Sequence, residues 1–145
     1  MTKADMHCTF CDLIHGAGEV SICYEDIFPQ LVRRLVPRGG GVLVNISNDS
    51  WYGDSSAAFQ HLEMSRYRAI ENGRYLLRAT NDGITAIIDP HGRVTQQLPR
   101  HRQAVLSGHF NYVGRQTFYN AHGDVFAWLC VLVTVATVGR LKAKV

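Results

Sequence analysis

The stretch Leu43-Val44-Asn45-Ile46-Ser47-Asn48-Asp49-Ser50-Trp51-Tyr52-Gly53 begins as an apolar run and ends in polar and aromatic residues. An earlier apolar segment, Val20-Ser21-Ile22, ends in the same way at Cys23-Tyr24-Glu25-Asp26. Rigid strands with reactive residues at their carboxyl ends are typical of α/β enzymes. The two stretches therefore predict parallel strands, the first of which presents Cys23 as a nucleophile.

Outward from these strands, the sequence predicts the element order β-α-β-α-β-β-β, a parallel core finished by an antiparallel hairpin. Strands are predicted over residues 19–24, 42–46, 75–80, 84–89 and 94–98, with a further one over 104–109. Asp26 is a candidate N-cap for a helix over 27–36, and Gly73 closes a second helix over 57–72. The predicted buried face of that second helix consists of Phe59, Leu62, Ala69 and Ile70.

The composition allows one modest domain with a real core, since the chain has 145 residues. Fifteen Lys and Arg against twelve Asp and Glu give a net charge of only +3, which does not indicate a nucleic-acid-binding protein. The four cysteines lie at positions 8, 11, 23 and 130, a placement that does not favour a disulfide framework. Residues 1–20 show no apolar segment of the kind found in a secretory signal.

The carboxyl-terminal region is uncharged from Val125 to Gly139, and Arg140, Lys142 and Lys144 follow. A membrane span needs about 20 residues, so the predicted transmembrane helix extends over 118–141. The basic residues that follow favour a cytoplasmic carboxyl terminus, with the preceding domain on the other side of the membrane. The alternative is a buried helix or strand of the core.

Several motifs, taken in order, resemble the carboxyl-terminal half of the apolipoprotein N-acyltransferases, membrane enzymes with a nitrilase (carbon-nitrogen hydrolase) domain. The matching stretches are Ile22-Cys23-Tyr24-Glu25, Asn45 to Gly53, Gln60-His61, Arg66 to Glu71, Leu77 to Thr85, Asp89-Pro90-His91-Gly92 and Gly123-Asp124-Val125-Phe126. The resemblance implies the carboxyl-terminal half of a nitrilase-like α-β-β-α sandwich, followed by one transmembrane helix. It also implies a location in the bacterial inner membrane, with the domain on the periplasmic side.

The resemblance implies that Cys23 takes an acyl group from a phospholipid as a thioester and passes it to the amino terminus of a diacylglyceryl-cysteine lipoprotein. Tyr24 would help to bind the oxyanion through its backbone N–H, and Glu25 would be a supporting carboxylate that holds the loop. Trp51, Tyr52 and Asn48 are the candidate substrate-binding residues, with the two aromatic residues near the lipid entrance. No cofactor is expected.

The nitrilase triad consists of Glu, Lys and Cys, and its Glu and Lys belong to the first half of the domain. Neither Lys3 nor Glu19 has the matching context, so we expect little activity from this chain alone. Half of a sandwich fold leaves one apolar face of its sheet uncovered, and such a face predicts self-association. The alternatives are a soluble nitrilase-like amidase fragment and a non-catalytic remnant.

The first residues resemble a different family, the histidine-triad (HIT) proteins, through Cys8-Thr9-Phe10-Cys11 and the later Tyr24-Glu25-Asp26. Cys8 and Cys11 are weak candidates for zinc ligands; two free thiols are the alternative, and no other metal site is predicted. The expected organisation is a HIT-like lead-in at 1–19, a partial nitrilase-like domain at 20–117, a transmembrane helix at 118–141 and a basic cytoplasmic tail at 142–145.

Other polar residues have predicted structural roles. His61 is interpreted as a helix residue that satisfies a loop carbonyl, and Arg78 and Asn81 as braces of the nucleophile loop. Cys130 is interpreted as a small hydrophobic residue.

Overall fold

Five strands form one mixed sheet in the computed structural model, which describes residues 18–36 and 41–142. The strands are β1 (Gly18–Ile22), β2 (Val42–Ser47), β3 (Leu76–Thr80), β4 (Ala86–Ile88) and β5 (Val94–Gln97). They lie side by side in chain order. The pairs β1–β2 and β2–β3 are parallel, and the pairs β3–β4 and β4–β5 are antiparallel. The predicted parallel core with an antiparallel finish is therefore present.

Four α-helices accompany the sheet within the described residues: α1 (Pro29–Leu35), α2 (Ala57–Asn72), α3 (Phe118–His122) and α4 (Val125–Lys142). Two short 3-10 helices, Cys23–Ile27 and Ser50–Tyr52, follow β1 and β2. Helix α2 ends where the sequence predicts, because Gly73 adopts a left-handed φ of 62° and its N–H donates to the carbonyls of Ala69 and Ile70.

The helices α1 and α2 pack on one face of the sheet and enclose the apolar core. This core contains residues of both helices and of three strands: Val32, Val36, Leu43, Leu62, Ala69, Leu76, Ile84, Ala86 and Ile88. On the opposite face, side chains of the first three strands remain exposed, among them Val20, Ile22, Ile46 and Ala79. The sheet thus has one covered and one open face among the described residues.

The buried face of α2 differs from the prediction. Phe59 and Ile70 are exposed, at 55% and 45%, whereas His61 and Ser65 are buried. The reason is that both polar side chains find buried hydrogen-bond partners outside the helix, which satisfies them at the interface. Apolar periodicity was therefore right for Leu62 and Ala69, which are buried in the core, and wrong for Phe59 and Ile70.

The start of α1 also differs from the prediction. Its N-cap is Phe28, and Pro29 occupies the first helical turn, where a missing N–H costs nothing. Asp26 does not cap the helix, because it lies inside the preceding 3-10 helix and its carboxylate is fully buried.

Residues 104–109 do not form the predicted strand. Their backbone passes against the side chains of Ile87 and Gln96, so that a β-carbon at Gly108 would overlap both. The segment leads to the buried Phe110, whose ring contacts Tyr75 and Tyr112. It lies along existing strands and does not extend the sheet.

The carboxyl-terminal region consists of α3 and α4, separated by Gly123 and Asp124. The Arg33 guanidinium donates to the carbonyls of Tyr119, Asn120 and Ala121, and so fastens α3 to α1. None of the helices in the described part of the chain is long and apolar enough to cross a membrane. The transmembrane helix predicted over 118–141 is thus not confirmed.

The HIT-like lead-in lies almost entirely outside the described residues, which begin at Gly18. Cys8 and Cys11, the weak zinc candidates, are among the residues outside that range, so their role stays a prediction. Within residues 18–36 and 41–142, no cluster of His, Cys, Asp and Glu side chains could hold a metal ion.

Candidate active site

Cys23 lies immediately after β1, at the carboxyl end of a parallel strand. Its φ of 50° falls in the left-handed region, which costs a residue with a β-carbon about 1–3 kcal/mol. The half-buried thiol lies 3.9 Å from the backbone carbonyl oxygen of Asn48, which accepts its hydrogen bond. Such strain is typical of the tight turn that exposes a nucleophile at the end of a strand.

The turn that carries Cys23 is held from two directions. The N–H of Ile22 donates to Oε2 of Glu25 at 2.7 Å, which closes the turn on itself. The side-chain Nδ2 of Asn45, on β2, donates to the backbone carbonyl of Cys23 at 3.2 Å and to the hydroxyl of Ser21 at 3.1 Å. The strained backbone is therefore tied both to its own loop and to the neighbouring strand.

The loop after β2 provides the second wall of the site. Oδ1 of Asn48 accepts from the N–H of Ser50 at 3.2 Å and from Nδ2 of Asn81 at 2.7 Å. Asn81 in turn accepts from the N–H of Asp49 at 3.1 Å. Asn81 therefore braces the loop after β2, whereas the prediction was that it braces the Cys23 loop. The side-chain oxygen of Asn48 is hydrogen-bonded within its own loop.

The two aromatic residues of the loop have different environments. Trp51 is 84% exposed, so it is not a core residue. The ring of Tyr52 packs edge-on against the ring of His61, with 5.9 Å between the ring centroids. Tyr24 contacts the same imidazole from the Cys23 turn, at 5.8 Å. The structure thus brings Tyr24 and Tyr52 together around a third residue, and leaves Trp51 projecting into solvent.

Four charged side chains form a buried ion cluster beneath these two walls: Asp26, Asp49, His61 and Arg78. Nε2 of His61 lies 2.8 Å from Oδ1 of Asp26, and Nδ1 lies 3.1 Å from Oδ1 of Asp49. His61 therefore links the Cys23 turn to the loop after β2. This corrects the prediction that His61 satisfies a loop carbonyl.

Arg78 completes the ion cluster from β3. Its Nη2 donates to Oδ2 of Asp49 at 2.8 Å, and its Nη1 donates to Oδ1 of Asn45 at 2.6 Å and to the hydroxyl of Ser65 at 2.9 Å. The same Ser65 hydroxyl donates to the carboxylate of Asp26. Arg78 thus braces the nucleophile region, as predicted, through a fully buried network.

Electrostatics explain how four charged groups share this interior. Burial alone would lower the pKa of His61, but its hydrogen bonds to Asp26 and Asp49 outweigh burial and the repulsion from Arg78, and raise the pKa from 6.5 to about 9. Burial favours the neutral form of Asp49, but hydrogen bonds from His61 and Ser47 together with Arg78 lower its pKa to about 2. At neutral pH Asp49 is therefore a carboxylate and His61 an imidazolium, and the two form an ion pair inside the cluster.

Asp26, Asp49 and His61 were not identified as a functional group from the sequence. One signal was present in β2, where Asn45 and Ser47 alternate with the apolar residues Val44 and Ile46. Because side chains alternate across a strand, this pattern places polar groups on one face, which proves to be the face under α2. Buried polar residues on a strand need partners, and the register pairs Asn45 with Arg78.

The thiol of Cys23 has one hydrogen-bond partner among the described residues, the Asn48 carbonyl. No carboxylate or imidazole in that part of the chain hydrogen-bonds to the thiol. A general base for a thiol must come within hydrogen-bond reach of it. The described residues therefore present a positioned thiol but no base in contact with it.

A strained cysteine at the end of a parallel strand, beside a polar loop, is typical of α/β enzymes with a cysteine nucleophile. The sequence model of the carbon-nitrogen hydrolase family matches residues 9–117. The chain belongs to the carbon-nitrogen hydrolase family, because that match covers most of its length.

Two curated relatives carry the name apolipoprotein N-acyltransferase. The protein from Geobacter metallireducens is 48% identical over 118 residues, which are 80% of this chain and 23% of the relative. The protein from Nitrosomonas europaea is 42% identical over 135 residues, or 92% of this chain and 27% of the relative. The chain thus spans about a quarter of the length of these relatives.

Among solved structures, an amidase of the nitrilase superfamily from Nesterenkonia AN1 is similar to this chain, at 24% identity and a TM-score of 0.48. The likeness covers 58% of this chain and 34% of the amidase.

Proposed function

We propose that this chain provides the nucleophile of an acyl transfer to the amino terminus of an apolipoprotein, the activity named for its curated relatives. The observation that carries the proposal is the backbone of Cys23, held at a φ of 50° where β1 ends. A thiolate is a good nucleophile, and a thioester is reactive enough to be attacked by an amine.

The reaction has two steps. The Cys23 thiolate attacks the ester carbonyl of a phospholipid, a C–S bond forms, and the C–O bond breaks with release of the lysophospholipid as an alcohol. The free amine of the diacylglyceryl-cysteine then attacks the thioester, an amide forms, and the thiol is released. The backbone N–H of Tyr24 is the proposed donor to the oxyanion, and Glu25 holds the turn through the N–H of Ile22.

The aromatic residues Trp51 and Tyr52, with Asn48, form the proposed substrate side of the site. The exposure of Trp51 supports this, because a large aromatic side chain that is 84% exposed, in the loop whose Asn48 carbonyl accepts from Cys23, is available to contact an acyl chain. Asn48 contributes through its backbone carbonyl next to Cys23 and through its hold on the loop.

The isolated chain is proposed to be nearly inactive, since no base contacts Cys23 in the described residues. A chimera tests the chemistry directly. Residues 20–117 of this chain replace the matching segment of the Geobacter metallireducens relative, and acyl transfer from phospholipid to a lipopeptide is measured. We expect activity in the chimera and none in its Cys23→Ala variant. A folded but inactive chimera contradicts the nucleophile proposal. An acyl thioester formed on Cys23 in the isolated chain contradicts the proposed inactivity and supports the nucleophile.

We also propose that the carboxyl-terminal region associates with the bacterial inner membrane, with the sheet on the periplasmic side. The supporting observation is the exposed apolar surface of α4, where Phe126, Trp128 and Leu132 are 78%, 73% and 67% exposed. Carbonate extraction of bacterial membranes tests this, with the chain ending before α4 as the control. We expect the full chain in the pellet; its release into the supernatant contradicts the proposal.

The open face of the sheet is proposed to mediate self-association. Ile22 and Ile46 are 63% and 47% exposed there, which leaves adjacent apolar side chains in water. Light scattering on the chain that ends before α4, with and without the substitution Ile22→Lys, tests whether this surface mediates association. A monodisperse monomer of the unsubstituted chain contradicts it.

A further inference from the structure

We propose that His61 is a positioning residue that fixes the Cys23 turn against the loop after β2 and thereby keeps the thiol reactive. This inference rests on the proposed nucleophile role of Cys23. His61 itself lies on α2 beneath the site, with 2% of its surface exposed, and makes no hydrogen bond to the Cys23 thiol.

The contacts of His61 reach both walls of the site. Toward the Cys23 turn, its Nε2 binds Asp26, which lies three residues after the nucleophile in the same 3-10 helix. Toward the other wall, its Nδ1 binds Asp49, the residue next to the Asn48 carbonyl that accepts from the thiol. The imidazole therefore bridges the two backbone segments that meet at Sγ, beside Arg78, which contacts the same two carboxylates from β3.

The chemistry of imidazole explains why this bridge depends on protonation. Carboxylate oxygens only accept hydrogen bonds, and a neutral imidazole has a single N–H to donate. Donating hydrogen bonds to both Asp26 and Asp49 requires the imidazolium, since only in that form do both ring nitrogens carry a proton. Nη2 of Arg78, 3.0 Å from Nδ1, opposes that second proton, but the two carboxylates outweigh it.

Loss of the second proton would break the Nδ1–Asp49 contact, so that Asp49 would keep Ser47 and Arg78 as donors but would no longer be joined to Asp26 through the imidazole. A buried carboxylate that loses one of its donors is destabilised, so the contact between the two walls is expected to loosen. The titratable and charged groups that face His61 from the packed elements are Asp26 and Tyr24 of the Cys23 turn, Asp49 and Tyr52 of the loop after β2, and Arg78 of β3.

The test measures alkylation of Cys23 by iodoacetamide, with peptide mass spectrometry to separate it from the other three cysteines. Rates are followed from pH 6 to pH 10.5 for the full chain and for His61→Gln, and circular dichroism checks the fold at each pH. The matched control is Asn72→Ala, which removes a buried polar side chain from the far end of α2. Alkylation needs only the thiol, so the result is independent of whether the chimera transfers acyl groups.

We expect the unsubstituted chain to show a bell-shaped profile, in which the rate rises as the thiol ionises and falls again as His61 loses its proton. His61→Gln should lower the maximal rate, because the turn that presents the thiol is no longer held against the Asn48 loop. It should also give a profile without the alkaline fall, because a glutamine amide does not titrate in this pH range. Asn72→Ala should lower thermal stability but keep the bell shape. An unchanged or faster rate in His61→Gln overturns the inference, as does an equal change in Asn72→Ala.

If His61→Gln does not fold, the profile of the unsubstituted chain decides the question. A rate that rises and then stays level to pH 10.5, in protein that remains folded, overturns the inference. A reversible fall above about pH 9 supports it.

Discussion

Gly83 lies so close to Asp49 that a β-carbon at position 83 would overlap the Asp49 carboxylate. Gly83, which lies between β3 and β4, thus limits the space available to the ion cluster. Because Asp49 is fully buried and holds both His61 and Arg78, its carboxylate cannot move aside without breaking those contacts.

Gly83→Ala is therefore expected to destabilise the protein by about 3 kcal/mol, the range found when a buried charge pair is broken. Gly53→Ala is the matched control: Gly53 has open space around it, so the cost there is backbone strain alone, about 1–3 kcal/mol at its φ of 50° and ψ of −142°. Urea unfolding followed by circular dichroism measures both. Equal losses in the two variants would contradict the proposed overlap with Asp49.

Replacement of Cys23 by glycine tests the strain at the nucleophile. Glycine adopts a positive φ without a steric penalty, whereas alanine retains the β-carbon. We expect Cys23→Gly to be more stable than Cys23→Ala by about 1 kcal/mol. The comparison uses chemical denaturation at pH 7, and a Gly variant no more stable than the Ala variant would show that the turn is unstrained.

The pH dependence of stability follows from the ion cluster. The folded-state pKa of His61, about 9, lies above its ordinary value of 6.5, so its contribution is complete below pH 6.5 and is lost as the pH rises through 9. A shift of this size corresponds to about 3 kcal/mol. The pKa of Asp49, about 2, lies below its ordinary 3.8, so its contribution is complete above pH 3.8 and is lost as the pH falls through 2.

Denaturant unfolding between pH 5 and pH 10 measures the alkaline part. The unsubstituted chain should lose stability between about pH 6.5 and pH 9, and His61→Gln should lose the slope in that interval. A stability that is flat across the interval would mean that His61 is neutral in the folded protein.

Arg33 provides a test of how α3 is attached. Its guanidinium serves three backbone carbonyls at the end of α3, and charged hydrogen bonds of this kind contribute about 1.5–3 kcal/mol. We expect Arg33→Met to cost about 2 kcal/mol and to increase amide hydrogen exchange across residues 118–123. Arg34→Met is the control, since Arg34 is exposed on the same helix and should change neither quantity.

The sequence was sufficient for the parallel strands and for α2, because long apolar or periodic segments and a closing glycine determine those elements locally. It was also sufficient to place the Cys23 turn beside the Asn48 loop, since the carboxyl ends of adjacent parallel strands meet at one edge of the sheet. It failed for Asp26 and His61, because their roles arise from one long-range hydrogen bond across 35 residues that no local pattern encodes.

The prediction of a strand over residues 104–109 was wrong for a related reason. Their alternation of small and apolar side chains resembles a strand, yet the segment lies against the side chains of Ile87 and Gln96, on a face of the sheet and not at its edge. Whether an extended segment meets the face or the edge of a sheet is a property of the assembled fold.

Helix α2 connects two anchor points that are far apart in the molecule. His61 joins its first half to the nucleophile turn, and Asn72, at its last residue, accepts a hydrogen bond from Asn120 of α3 at 2.8 Å. Eleven residues of α-helix separate them by about 16 Å. The helix therefore works as a rigid spacer, and one residue inserted between Ser65 and Asn72 would rotate its two ends relative to each other by about 100°. The position of Cys23 relative to α3 thus depends on the length of α2 as well as on the contacts of Arg33.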